Sequence, residues 1–309
     1  MLIIIKPGIF SVIQDAGRFG YQQYGVITSG AMDMIAYRIG NALLQQHNKP
    51  ALEMTLIGGQ FQFTKETTIA LTGGMMQAKL NGKDIPMNRA IPIQPNDLLT
   101  CGPIVQGARS YLSISGGFTI KPILNSTSTY IKVGFGGFQG RPLQTGDAIP
   151  YERTAQRFKP LQVYTHNFYK ARPVRILQGT EWPYFSEQAQ QLFLQQPYTI
   201  SINSDRMGYR LESEQPIAAA NTSQLLSEAV TFGTIQLPAS GQPILLMADH
   251  QTTGGYPKIA QVIAADLPYA AQLTPKQSLT FELVTLQQAE QAYLEHQRQL
   301  RLLELLVAN

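Results

Sequence analysis

The chain has 309 residues and a mass of 34.2 kDa, which suggests about two domains at roughly 150 residues each, and its 44% apolar content suffices for a real core. Charged residues make up only 14%, against a usual ~25%, and 33 glutamines cover part of the polar surface, which excludes the dense ion-pair networks of hyperthermophilic proteins. The net charge of +4 divides into +5 over residues 1–155 (13 basic, 8 acidic) and −1 beyond (11 basic, 12 acidic), too mild a bias for a nucleic-acid partner.

A single cysteine, Cys101, rules out a disulfide within the chain and suits a reducing, cytoplasmic setting. No apolar run approaches the ~18 residues of a membrane span. Met1–Ile5 reads as a first strand ended by Lys6-Pro7-Gly8, because it lacks the basic region and length of a signal peptide. In Ser29–Leu44, Met32, Ile35, Ala36, Ile39 and Leu43 recur with helical spacing; the pattern predicts a helix over about 31–45, with Ser29 as cap and Asp33 in the first turn. Thr68–Thr72, Leu98–Cys101 and Arg109–Ser115 then read as short strands bounded by turn residues, among them Gly73-Gly74 and the hairpin signal Asn81-Gly82.

Residues 151–173 read as a polar connector holding Pro160 and Pro173. A second β-rich segment follows, with strands at Val174–Leu177, Pro243–Asp249 and Gln277–Val284 and a helix at Glu187–Leu194. In the tail helix, Leu286, Ala289, Tyr293, His296, Leu300, Leu303 and Val307 form a heptad seam that packs either on its own domain or on a partner, such as a second copy. The expected organisation is an N-terminal domain over 1–155, a C-terminal domain over 172–285 and a helix over 286–309, mainly β with some α.

Several chemistries lack their residues. Gly82-Lys83 is followed by Asp84 with no glycine five positions earlier, so there is no P-loop. No HExxH or GxSxG occurs, and His47, His166, His250 and His296 are scattered, so no metal is expected. Gly134–Gly140 imitates a dinucleotide loop, but its third glycine is misplaced and Pro142 stands where a helix should start. No lysine lies between two methionines, the usual setting of attached biotin. Cys101 reads as a buried apolar residue.

Polar chemistry concentrates in three segments. In Ser204-Asp-Arg-Met-Gly-Tyr-Arg-Leu211, residues 206, 208 and 210 share a face if extended, so Arg206 and Arg210 can grip a carboxylate or phosphate across Gly208; the alternative is a salt bridge from Asp205 to either arginine. Asp249-His-Gln-Thr-Thr-Gly-Gly-Tyr-Pro-Lys258 follows an apolar strand directly. It offers a carboxylate, hydroxyls, an amide nest at Gly254-Gly255 and the mobile charge of Lys258, or else an ordinary glycine turn. In Gln14–Tyr21 with Ser29–Asp33, Asp15 and Arg18 pair across a glycine turn and the helix start receives an anion, unless turn and cap are merely structural.

Val12–Arg18, Ser29–Asp33, Ala51-Leu-Glu-Met-Thr55, Ser204–Arg210 and Gln251–Lys258 together resemble the allophanate-hydrolase-subunit-2 type, or biotin-dependent carboxyltransferase-like, family over about residues 3–285. The resemblance implies two cyclophilin-like β-barrel domains. It also implies one component, the C subunit, of an ATP-dependent 5-oxoprolinase, which opens 5-oxo-L-proline to L-glutamate with subunits A and B as partners. ATP, with Mg, would bind this chain or a site shared with a partner; no biotin is attached here. Under that resemblance Asp249, Lys258, Arg206 and Arg210 are the candidate catalytic residues. Asp205, Tyr209, Gln251, Thr252, Thr253, Gly254, Tyr256, Ser29 and Asp33 are the candidate substrate-binding residues. His250 stands where relatives often carry Arg, and Gly74 where they often carry an acid. The alternatives are carboxyl transfer from a separate biotin carrier, as in urea carboxylase, and a non-catalytic regulator of a kinase-inhibitor-like partner. Neither nucleic acid nor membrane is an expected partner.

Overall fold

A computed structural model describes residues 1–152, 158, 161–165, 168–218 and 225–308. Much of the expected connector, including His166, lies outside them. The chain divides into two units: Met1–Arg18, Ser29–Tyr169 and Arg298–Asn309 form unit 1, and Phe19–Thr28 with Lys170–Gln297 form unit 2.

Unit 1 is a curled half-barrel of nine strands. Its sheet runs Phe10–Gln14, Ala51–Thr55, Leu98–Ile114, Gln60–Phe63, Leu2–Lys6, Ala148–Ile149. Thr67–Leu80 pairs with Leu98–Ile114 and also carries Lys83–Ile85 and Ala90–Ile93. Alternation fills the core: in Gln60–Phe63 the phenylalanines are buried and the glutamines half-buried, and Phe61 and Phe63 pack with Leu2, Ile4, Leu99 and Leu112.

Two strands here are longer than their sequence suggests. Thr68–Thr72 belongs to the 14-residue strand Thr67–Leu80, and Leu98–Cys101 and Arg109–Ser115 lie along the 17-residue strand Leu98–Ile114. Gly73-Gly74 bends the strand instead of ending it. Gly73 has φ 91°, and a Cβ there would sit 2.6 Å from the Arg109 carbonyl oxygen. The register shifts between Gly73 and Ala78, and such irregularities increase local bend and twist. Asn81 and Gly82, both at positive φ, make the expected tight hairpin.

Helix α1 spans Met34–Leu43. Its cap is Asp33, whose carboxylate accepts from the Ala36 amide at 3.0 Å. Ser29 was the expected cap; it sits four residues earlier at φ 54° and donates its hydroxyl to the Thr129 carbonyl. Ile35, Ile39 and Leu43 cover one side of the helix and pack with Leu300 and Val307.

Unit 2 is a nearly closed barrel of eight strands. Their order is Ser278–Leu279, Tyr198–Ile200, Gly208–Glu212, Ile244–Leu246, Thr234–Gln236, Lys258–Val262, Val174–Gln178, Phe281–Leu283. Only Thr280 separates the first and last of these along the chain, so the sheet nearly meets itself. Phe193 stacks on Phe281 with ring centroids 5.0 Å apart, beside Tyr198. Phe193 comes from α2 (Glu187–Gln195), capped by the Ser186 hydroxyl. A short helix, α3 (Leu267–Ala271), follows.

The last helix, α4, spans Leu286–Ala308. Ala289 packs with Ile263 and Ala265 in unit 2, and Leu300, Leu303 and Val307 pack around α1 in unit 1. The seam is therefore buried at these points, while Leu286 and Tyr293 are largely exposed. Among the described residues, no helix is long and apolar enough to cross a membrane.

Candidate functional site

The strand Ile244–Leu246 carries the chain to Asp249. The Asp249 amide donates to the Arg206 carbonyl at 2.8 Å and the Met247 amide to the Met207 carbonyl at 3.0 Å, so two of the three polar segments lie side by side. The Arg206 guanidinium grips the Asp249 carboxylate with two bonds, Nε to Oδ2 and Nη2 to Oδ1, each 2.9 Å. Both residues are 5% exposed. This is a planar, charge-assisted, desolvated pair.

Arg206 and Arg210 do not share a face. The strand begins only at Gly208, because Asp205 closes a turn: its Oδ1 accepts from the Met207 amide at 2.7 Å and the Gly208 amide at 3.2 Å. Alternation therefore starts two residues too late to align them, and Arg206 is buried while Arg210 is exposed. Asp205 is occupied by backbone amides, so the expected bridge from Asp205 gives way to Asp249 as the arginine's partner. Tyr209 is buried, with its hydroxyl near the Ala271 carbonyl at 3.4 Å.

Beyond Asp249 the chain folds into a small flap. Thr253–Gly254 pairs antiparallel with Glu228–Ala229, and the Val230 amide donates to the Thr252 carbonyl. Gly254 belongs to this pair, and neither it nor Gly255 has positive φ, so the expected nest is replaced by a strand. A Cβ on Gly254 would run into the side-chain Nε2 of Gln236. Gln236 reaches the Tyr256 carbonyl and receives the Gln251 side chain. Thr253 and Tyr256 face solvent. His250 is buried, and that burial lowers its pKa.

Lys258 ends the segment between two carboxylates. Its backbone amide donates to Glu181 Oε2 at 2.8 Å; its Nζ stands 3.6 Å from Glu181 Oε1 and 2.5 Å from Glu228 Oε2. Glu181, Glu228 and Gln236 escaped the sequence reading. Glu181 had a faint signal, an acid just past Gly179 at the end of the Val174–Gln178 strand. Glu228 lies in a stretch without periodicity, and only strand pairing brings it to Lys258.

Ser29 and Asp33 belong to unit 1. Asp33 is fully buried; beyond its capping bond, its Oδ2 accepts from the Tyr169 hydroxyl at 2.7 Å. Tyr111 accepts from the Asp33 amide and donates to Glu53 Oε2 at 2.7 Å. Burial, reinforced by these carboxylates, pushes the Tyr111 and Tyr169 phenols well up. The cluster braces the start of α1 from inside. Asp15 and Arg18 both hold the segment Ile123–Ser128. The Asp15 carboxylate accepts from Ser126, Thr127, Ser128 and Gly17, while Arg18 donates to the Ile123 and Ser128 carbonyls and lies over the Phe135 ring.

Gly134–Gly140 follows the 3-10 turn Ile131–Val133, the next element is the strand Ala148–Ile149 rather than a helix, and the loop lines an open cavity of about 500 Å³ with Ile120 and Lys121. Burial pushes the Cys101 thiol up to about 12, which leaves it without thiolate character. Among the described residues, no group of three or more His, Cys, Asp or Glu side chains could hold a metal ion.

Comparison with known proteins places these units in a family. Residues 24–283 match the model of the carboxyltransferase domain, subdomain A and B. The chain is 38% identical to the C subunit of the Escherichia coli K12 5-oxoprolinase over 96% of either chain, and 37% identical to that of Haemophilus influenzae over 94% of this chain and 93% of that one. A urea amidolyase of Lachancea kluyveri is 30% identical over 93% of this chain but only 17% of its own length. The crystal structure of the Kluyveromyces lactis urea amidolyase superposes with a TM-score of 0.87 at 27% identity, covering 98% of this chain and 20% of that one. The family model over residues 24–283 and the 38% identity along 96% of the chain make it a member of the carboxyltransferase-domain family, subdomains A and B.

Proposed function

We propose that the chain is the C subunit of an ATP-dependent 5-oxoprolinase, that it works with subunits A and B to open 5-oxo-L-proline to L-glutamate, and that the flap ending at Lys258 is its substrate site. The observation that carries the reading is the 38% identity to the Escherichia coli protein along 96% of both chains, with no large part of either left over. The urea amidolyase likeness supports the shared fold more than the shared reaction, because this chain spans one fifth of that protein.

The amide of a five-membered lactam is unreactive, and phosphorylation of its oxygen makes the carbonyl carbon electrophilic. Such chemistry asks for positioned cations and little covalent participation. Lys258 and the exposed Arg210 are cations of unit 2 suited to holding, between them, the substrate carboxylate and the phosphoryl oxygens, and Arg206 with Asp249 holds the base of the segment rigid. With neither a P-loop nor a dinucleotide turn in the chain, we place ATP at a site completed by the partner subunits.

The test is glutamate release from 5-oxo-L-proline plus ATP. The purified chain alone is expected to give negligible release, and addition of subunits A and B to restore it. Robust turnover by the chain alone, or none by the complete complex, overturns the proposal.

A further inference from the structure

The two carboxylates on Lys258 are held very differently. The Glu181 side chain is 7% exposed and is tied to both the backbone amide and the Nζ of Lys258. The Glu228 side chain is 57% exposed and, among the described residues, meets only the Nζ. It rides on the two-residue strand Glu228–Ala229, whose sheet partner is Thr253–Gly254 of the same flap. Solvent-facing ion pairs contribute little, whereas a buried one is costly to break from one side.

The two acids of the polar segments are committed elsewhere. Asp249 is locked to Arg206, and Asp205 to the Met207 and Gly208 amides. An arriving anion can therefore displace Glu228 without breaking a buried pair, and the ammonium, still held on one side by Glu181, offers it the donors that Glu228 releases.

We infer that Lys258 is the carboxylate-binding position of this site and that Glu228 is its exchangeable counter-ion, occupying in the free chain the place a substrate carboxylate takes. The inference rests on the flap being the substrate site. It assigns the ligand class, a small monocarboxylate, and gives Glu228 the role of competitor. Glu181 is the fixed partner that keeps the lysine in place.

Calorimetric titration of the full-length chain with 5-oxo-L-proline, and with acetate as a bare carboxylate, tests this on wild type, Glu228→Gln, Glu228→Ala and Lys258→Met. Both Glu228 variants should bind 5-oxo-L-proline about fivefold more tightly, the size of one lost surface pair, and acetate should compete. Lys258→Met should lose binding of both. In the assembled complex, Glu228→Gln should show the change in the KM for 5-oxo-L-proline. Unchanged or weaker binding by the Glu228 variants, wild-type binding by folded Lys258→Met, or no binding by any form overturns the inference. A complex without ATP-dependent glutamate release, whose Glu228→Gln chain still binds carboxylates more tightly, would refute the 5-oxoprolinase reading alone.

Discussion

Arg206 and Asp249 stand 43 positions apart and neutralise each other at the base of the polar flap, each 5% exposed. Removing the arginine leaves a buried carboxylate without its cation. Arg206→Ala should therefore destabilise the chain by about 3–5 kcal/mol, read from urea unfolding, while Arg206→Met with Asp249→Leu should recover much of that loss. An isolated anion-binding arginine, as its sequence setting suggests, would leave the melting temperature nearly unmoved, so this residue has a structural burden its sequence does not advertise. Asp15 shows the same economy. Burial pushes its pKa up, but the bonds from Ser128, Thr127, Ser126 and Gly17 outweigh that and hold it below the usual carboxylate range. A depressed folded pKa means stability that is present above the unfolded value near 3.9 and is lost as pH falls through the folded one. The wild-type melting temperature should drop from about pH 5 downward, and Asp15→Asn should flatten that slope while lowering the plateau at neutral pH.

At the scale of elements, α4 is decided by one side. Leu300 is fully buried among Ile35, Ile39 and Leu43, and Arg38 adds a 2.7 Å ion pair to Glu304. Leu300→Ala should cost about 2–5 kcal/mol in thermal or urea unfolding, whereas Leu305→Ala, 43% exposed, should stay within about 0.5 kcal/mol. The heptad spacing was legible and located that side, but the spacing is the same whether the seam meets its own domain or another chain. Contacts with Ile35 and Ile39 answer for unit 1. The long strands of unit 1 turn on Gly73. Double glycine reads as a turn because glycine frees φ, yet here the positive φ and the close Arg109 carbonyl serve a bend within the pairing.

For the whole molecule, the competing chemistry of the family is carboxyl transfer from biotin. This chain has no methionine-flanked lysine and covers only 20% of the urea amidolyase whose fold it shares. Together with subunits A and B it should release ADP when given 5-oxo-L-proline and ATP, as measured by a coupled ADP assay. It should transfer no label from carboxybiotin, supplied with its carboxyl group labelled, to urea. Transfer of that label would favour the carboxyltransferase reading.

What the sequence determined by itself was local and periodic. It showed the mainly β character, the helices α1, α2 and α4 to within a few residues, the Asn81-Gly82 hairpin and the polar segments around Arg206 and Asp249, since each rests on alternation, helical spacing or turn residues within a short window. The family also lay open there, because its motifs are contiguous runs. The tertiary structure decided the partners. Asp33 rather than Ser29 caps α1, Arg206 meets Asp249 instead of aligning with Arg210, and Glu181 and Glu228 flank Lys258. These outcomes depend on which strands lie side by side, and burial then chooses the charge partner. A pairing between residues dozens of positions apart leaves no period in the chain for a sequence reading to find.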